Sequence, residues 1–448
     1  MKILWVSNSP AAPSGYGTQT RQVGRRLVKS GHEVVYAAND GSRGDFDFEG
    51  SRVIGSGELR YSLDTIREDL LRTEPDWTVV LYDVWVFTEG AKTQDPFHGI
   101  PRVAAWTPVD HYPVPPTLLP WLTKGYTAIA MSEFGRQELQ RASDGAQASE
   151  GRGFPVWYAP HAVDASVYRP TPVLPGDVTF RQLIDVPQDA YLVGVVAANI
   201  GTGIYDRKGF GDMAQALGVF MRRHPDAYLY MHAGQSGDNG MNLPALLQIT
   251  DIPHERLRWA DQHMLRKRTI PDELMAAAYT SMDVLLGTSR GEGFGLPHVE
   301  AQACATPVIL SNWTASTELV APSAFDPRNI GYQRHPSGWL VDVDPDYDSR
   351  HGSYFAKPRV ASILRALEEH HALDADARQN MRDAALANSA RWDADRVFSD
   401  YWLPIAERMQ ASLSARRDGV RTPLPDGTVP VNRAARRAAK HGKATVAA

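Results

Sequence analysis

Twice along this chain short apolar runs alternate with amphipathic stretches, and that alternation leaves few folds open. Lys2 to Ser7 reads as a strand, Ser14-Gly15-Tyr16-Gly17-Thr18 as a glycine-bearing loop, Gln19 to Ser30 as a helix closed by Gly31, and Glu33 to Ala38 as the next strand. Strand-like runs follow at Trp77 to Tyr82, Val103 to Trp106 and Thr127 to Met131, with a helical stretch at Ser132 to Ala142. From Tyr168 to Asp189 the pattern dissolves into polar, Pro-rich sequence, the mark of a linker. It then resumes: strands at Leu192 to Ala198, Ala227 to His232, Asp283 to Thr288, Pro307 to Ser311 and Trp339 to Val343, with helices at Gly209 to Arg223, Pro271 to Ser281 and through Ala305. Three helices close the pattern near Val360 to His370, Asp374 to Ala390 and Ala394 to Ser412. Such alternation gives parallel sheets covered on both faces, so the expected class is α/β, with two doubly wound, Rossmann-like domains facing each other across a cleft at the carboxyl ends of their strands. The expected boundaries are 1–170, a linker 171–190, 191–390, a closing helix 391–412 that can return to the first domain, and a basic, disordered tail 413–448.

A chain of 448 residues, 43% hydrophobic and 22% charged, can fill two cores of domain size. No run approaches the roughly 18 apolar residues of a membrane span, and the opening Met1 to Val6 breaks at Ser7-Asn8-Ser9-Pro10, too early for a signal peptide; the expectation is a cytoplasmic protein. A single cysteine, Cys304, rules out an internal disulfide and a cysteine-built metal cluster. Net charge is −5, but residues 413–448 hold eight Arg or Lys against Asp418 and Asp426, a net of +6 that leaves −11 for the body. Binding of nucleic acid is therefore expected only through the tail.

The most informative stretch runs from Ser289 to Val308. It follows a buried strand and enters a helix, so Gly293, Phe294, Gly295 and Leu296 can offer backbone N–H groups to an anion, with the helix dipole behind them. Pro297 suits the first helical turn, where its missing donor costs nothing. Glu292 stands on the loop and Glu300 about two turns later; carboxylates accept hydrogen bonds in pairs, and sugar diols donate them in pairs.

This segment resembles the acid-x7-acid signature of family 4 glycosyltransferases, a retaining, group 1 family of the GT-B fold. The resemblance extends over roughly residues 1–412 and implies transfer of a sugar from a nucleotide diphosphate donor to an acceptor that the residues do not name. It implies that Glu292 holds the donor sugar, that Glu300 binds the ribose, and that the Gly293 to Leu296 backbone faces sugar and phosphates. Asp206-Arg207-Lys208-Gly209 stands where family members place an Arg and a Lys on the diphosphate, although their Arg usually comes about five residues earlier, where this chain has Gly203. The plainer reading is a solvated Arg-Lys pair. Tyr158-Ala159-Pro160-His161-Ala162-Val163-Asp164 with Tyr168-Arg169-Pro170 resembles the segment closing the family's first domain, with His161 and Ala162 replacing its usual Asn-Gly.

Gly15-Tyr16-Gly17 can bring backbone to the diphosphate from the opposite domain. A nicotinamide-binding turn is the poorer reading, since Thr20 occupies the place of a third glycine. Asp110-His111 follows a strand into the crevice; family members often carry a His there, and His111 is a candidate to touch sugar or acceptor, or else a loop histidine held by Asp110 and Tyr112. No metal or other cofactor is expected. Asp342-x-Asp344-x-Asp346-x-Asp348 lacks the glycine and glutamate of a calcium loop and reads as a solvated acidic loop. Retention without an evident nucleophile implies front-face displacement, with Arg207 and Lys208 on the leaving group and Glu292 and His111 orienting the sugar. An epimerase or phosphorylase of the same fold, or an idle nucleotide-sugar-binding protein, are the other readings. The tail resembles basic ends on some actinobacterial phage proteins, which would suit a phage-encoded enzyme with a virion-protein or modified-DNA acceptor; the plainer reading is a solubilising tail.

Overall fold

The computed structural model describes residues 1–83, 86, 95–200, 206–236, 240–321, 323 and 325–417. The tail from residue 418 onward, and with it the nucleic-acid expectation, lies outside the described residues, as does Gly203. Two compact units divide the chain. Met1–Ile405 carries every strand described, and the described part of Ala406–Ala448 belongs to the helix Leu403–Arg417.

The first half builds an eight-stranded sheet. Its spatial order is β3 (Phe46–Phe48), β4 (Ser51–Ile54), β2 (Glu33–Ala38), β1 (Lys2–Ser7), β5 (Trp77–Leu81), β6 (Val103–Thr107), β7 (Thr127–Ala130) and β8 (Val156–Tyr158). All neighbours pair in parallel except β3 with β4. Continuous apolar runs make this arrangement: Ile3 to Val6 are fully buried, as strands covered on both faces must be. The order reverses direction between β1 and β5, which opens a crevice at their carboxyl ends.

The second sheet runs β11 (Leu257–Trp259), β10 (Ala227–His232), β9 (Tyr191–Val196), β12 (Val284–Gly287), β13 (Val308–Ser311), β15 (Gly338–Val341) and β14 (Gln333–His335). Only β14 is antiparallel. Its reversal lies between β9 and β12, so the loops after these two strands open on the second crevice.

The chain then returns to the first sheet. Val163 and Asp393 form a bridge, Ala394 N donates to Val163 O at 3.0 Å, and Trp402 packs on Trp5 and Trp106 at centroid distances of 5.4 and 4.8 Å.

Several local readings need correction. The glycine loop Ser14 to Thr18 is already helix: Ser14 Oγ accepts the Gly17 amide at 3.1 Å, and this cap starts the helix Gly15–Lys29. The stretch 171–190 contains a capped turn of helix, Phe180–Leu183, because Thr179 and Gln182 form a capping box. The third closing helix is broken into Ala394–Val397, a π-turn Phe398–Trp402 and Leu403–Arg417. The largest correction concerns the acidic stretch 342–348. It is no solvated loop but strand β16 (Val343–Asp348), paired antiparallel with β17 (Ser353–Pro358), and Asp348 is 2% exposed. The alternation of Asp with Val, Pro and Tyr suits a hairpin whose partner strand, Ser-Tyr-Phe-Ala-Lys-Pro, supplies the apolar face.

Candidate active site

The loops that leave β9 and β12 meet at one ion pair. Asp206 accepts the amides of Phe210 at 2.9 Å and Gly211 at 2.6 Å, capping the helix Phe210–Arg223. That cap fixes the turn just before it, which carries Arg207 and Lys208. Lys208 Nζ lies 2.5 Å from Glu292 Oε1, and Arg207 Nη1 lies 3.8 Å from Glu292 Oε2 and 3.8 Å from Asp110 Oδ2. Arg207 also donates to Gly291 O at 3.1 Å. The pair is therefore not a solvated cap: Lys208 and Glu292 are largely buried and hold each other. Burial opposes the charge on Glu292, but Lys208 and then Arg207 overcome it and hold its carboxyl down to about 2. Lys208 is lowered as well, by burial and then by Arg207 beside it, which disfavours its charge. The ionised state of Glu292 is the firmer of the two, because two cations serve one carboxylate.

Glu292 is also fixed through its backbone. Thr314 Oγ accepts the Glu292 amide at 3.2 Å and donates to Glu292 O at 3.1 Å. Beyond it, the amides of Gly293, Phe294, Gly295 and Leu296 find no acceptor among the described residues, and the helix Leu296–Ala303 begins at their end. Gly295 takes φ 110°, a conformation that side chains resist. The Phe294 ring packs inward near His161 and Trp392, so at this position only backbone faces outward.

The opposite wall comes from the first sheet and stands close. A Cβ on Gly293 would lie 2.4 Å from Pro108 Cβ, one on Gly291 would lie 2.2 Å from Asp110 O, and one on Gly15 would lie 3.2 Å from Leu296 Cδ1. Gly15 and Tyr16 thus begin a helix whose first turn faces the start of the other. The Gly17 amide is taken by Ser14, and its missing Cβ makes room for Ala12 O. Tyr16 has its hydroxyl pushed well up by burial and then by Asp83 and Asp110.

His111 is 3% exposed, stacked on Phe355 at 3.7 Å, with Nδ1 2.7 Å from Asp110 Oδ1 and Nε2 3.5 Å from Asp348 Oδ2. Burial would lower its pKa, yet Asp110 and Asp348 together raise it. His161, by contrast, is pushed down to about 3 by burial alone and serves as a neutral ring against Trp106. Its segment is pinned by Gln19, whose side chain amide exchanges two hydrogen bonds with Ala162.

Glu300 occupies different ground. Its Oε2 accepts from Tyr279 Oη at 2.8 Å, and burial pushes its carboxyl up to about 7. Asp83, Thr314 and Gln19, to which the sequence pattern gave no role in the site, matter here, as does Asp348, which that pattern placed in a solvated loop. Asp83 follows β5 into the crevice, and burial followed by the nearby Asp110 pushes its carboxyl up to about 7. The rule that sites lie at the carboxyl ends of switch-point strands would have found it.

Residues 254–343, which include both Glu292 and Glu300, match the family described as glycosyl transferases group 1. D-inositol 3-phosphate glycosyltransferase of Paenarthrobacter aurescens is 30% identical over 143 residues, which are 32% of this chain and 33% of that protein. The chain spans a third or less of the length of the curated relatives it matches. Among solved structures, sucrose-phosphate synthase from Thermosynechococcus elongatus superposes with a TM-score of 0.66 at 16% identity, covering 93% of this chain and all (100%) of that one. Anabaena HepE, solved with UDP and glucose, gives 0.61 at 17% identity over 92% of this chain and 100% of its own. The fold is GT-B. Among the described residues no helix is long and apolar enough to cross a membrane. The family match ends at Val343, where the hairpin begins, so that hairpin lies beyond the matched segment.

Proposed function

We propose that this chain is a retaining glycosyltransferase that takes a nucleotide diphosphate sugar as donor, with residues 1–170 on the acceptor side and 191–390 holding the donor. The observation that carries the reading is the Lys208–Glu292 contact of 2.5 Å with Arg207 beside it, at the mouth of the β9/β12 crevice and next to four unengaged amides. Two fixed cations and a helix start can neutralise a diphosphate. The diphosphate would compete with Glu292 for Lys208, and Glu292, relieved of that partner, would turn its oxygens to the sugar hydroxyls. Arg207 and Lys208 then stabilise charge on the leaving group without a metal on the phosphates. With Glu292 engaged by the sugar hydroxyls, the leaving phosphate oxygen takes the acceptor's proton in a front-face route. His111, held by Asp110, is placed as a positioning residue beside the sugar and the acceptor. Glu300 is assigned to the ribose. Since Anabaena HepE was solved with UDP and glucose, UDP-sugars head the donor panel.

The test is a panel of nucleotide sugars incubated with the protein alone, read as release of nucleotide diphosphate and as a rise in Tm. One donor is expected to be hydrolysed slowly, with its base unchanged and no epimer formed. If none raises Tm at millimolar concentration, the reading is wrong.

A further inference from the structure

Asp348 gathers two histidines, His351 three positions along its own hairpin and His111 from far away in the chain. Its Oδ2 lies 2.7 Å from His351 Nδ1 and 3.5 Å from His111 Nε2, and one donor atom of each of the three side chains lies within 4.8 Å of the other two. His111 and Asp348 are also engaged at their far ends. His111 Nδ1 stands 2.7 Å from Asp110 Oδ1 and, facing a carboxylate, must carry a proton. Asp348 Oδ1 accepts Arg350 N at 3.0 Å and Arg350 Nε at 3.3 Å.

This creates a conflict at the other end of the ring. With Nδ1 protonated, a neutral His111 presents an Nε2 lone pair to a carboxylate oxygen, two acceptors facing each other in a buried place, and Nε2 finds no hydrogen-bond partner among the described residues. A cation between them removes the conflict. A second proton on His111 is the competing answer, which the metal titration separates; the third side chain, His351, has a donor atom within 4.8 Å of the other two and completes a three-ligand set.

We propose that His111, Asp348 and His351 form a site for a divalent transition-metal ion, Zn2+ by its donor set. Two imidazoles and one carboxylate are ligands that zinc takes, with a fourth position left for water, whereas Mg2+ and Ca2+ favour oxygen donors. Asp110 then stands behind His111 as the carboxylate that fixes the tautomer and raises ligand basicity. The ion would join the hairpin to the loop after β6, which already share a backbone bridge: Tyr112 N donates to Tyr354 O at 3.0 Å, and Tyr354 N to Tyr112 O at 3.2 Å. Its task is to hold the His111 ring and the hairpin in place; it is not assigned to the donor phosphates. The proposal replaces the expectation of a chain without metal, which treated Asp348 as part of a solvated loop.

The full chain, stripped with chelator and dialysed, is titrated with Zn2+ and with Co2+. We expect one ion per chain by elemental analysis, a visible Co2+ absorption band and a higher Tm. His351→Gln is expected to weaken binding at least about tenfold while leaving the circular dichroism spectrum unchanged. Asp348→Asn is buried and is read only alongside that spectrum. A control variant, His371→Gln, lies in the separate group His224, Asp226 and His371 and is expected to bind as the parent does. No ion retained at micromolar free Zn2+, undiminished binding by His351→Gln, or loss in His371→Gln instead would each overturn the assignment. None of these readouts depends on sugar transfer, so failure here leaves the donor reading standing, and failure of the donor reading leaves this one.

Discussion

Glu292 and Glu300 stand eight positions apart on one strand-to-helix turn, yet they occupy opposite electrical states. Glu292 faces Lys208 and Arg207 and is held at about 2. Glu300 meets a tyrosine hydroxyl, with no cation among the described residues to oppose burial, and is pushed to about 7. Residue type and local spacing are the same for both. What differs is what other parts of the chain bring to each, and that decides which of them stays ionised beside the cations that meet the donor phosphates.

The sharpest way to break this comparison is kinetic. Glu292→Ala should lower kcat about 10²- to 10³-fold, the usual cost of removing a group that acts mainly in the transition state. Glu300→Ala should raise the donor KM about tenfold and leave kcat within about threefold, since a ribose contact is made equally in ground and transition states. Steady-state kinetics on both variants decides the matter, and equal losses of kcat would end the division of roles.

A smaller effect is expected in stability. Lys208→Met leaves a buried carboxylate with only Arg207, at 3.8 Å, to answer it. Urea unfolding should show a loss of about 2–3 kcal/mol, somewhat less than a fully orphaned buried charge costs. The matching neutral change, Glu292→Gln together with Lys208→Met, should recover most of it.

The smallest effect, taken per pH unit, is the pH dependence, where the two acids have opposite signs. Glu292 has a folded value below its ordinary 4.5, so its contribution is present above about 4.5 and fades as pH falls toward 2. Glu300 has a folded value above 4.5, so the folded chain keeps a proton that the unfolded chain releases, and stability declines as pH rises from 4.5 toward 7. Glu300→Gln should flatten that decline by at most about 1.4 kcal/mol per pH unit, measured as Tm or urea midpoint across the window. An unchanged slope would mean that Glu300 is ionised in the folded protein.

Much of this architecture was legible in the chain itself. Continuous apolar runs placed β1, β5, β6, β9, β10, β12 and β13 within a residue or two, because a strand buried on both faces has no polar side to confuse its period. The acid-bearing loop was legible as well, since glycines, Pro297 and two carboxylates keep a fixed spacing along one turn. Helix starts were less so: Ser14 and Asp206 act through capping bonds that pull glycine-rich turns into helix or fix the turn before it.

What the sequence determined, then, was the periodicity of the elements and the identity of the groups at the ends of the switch-point strands, because both depend on neighbours a few positions away. Only the tertiary structure decided that Asp348 is buried against His111, that Lys208 reaches Glu292, and that Asp83 joins the crevice. Burial and charge at these positions are set by side chains brought from far along the chain, and a one-dimensional pattern of apolar and polar residues carries no term for such encounters.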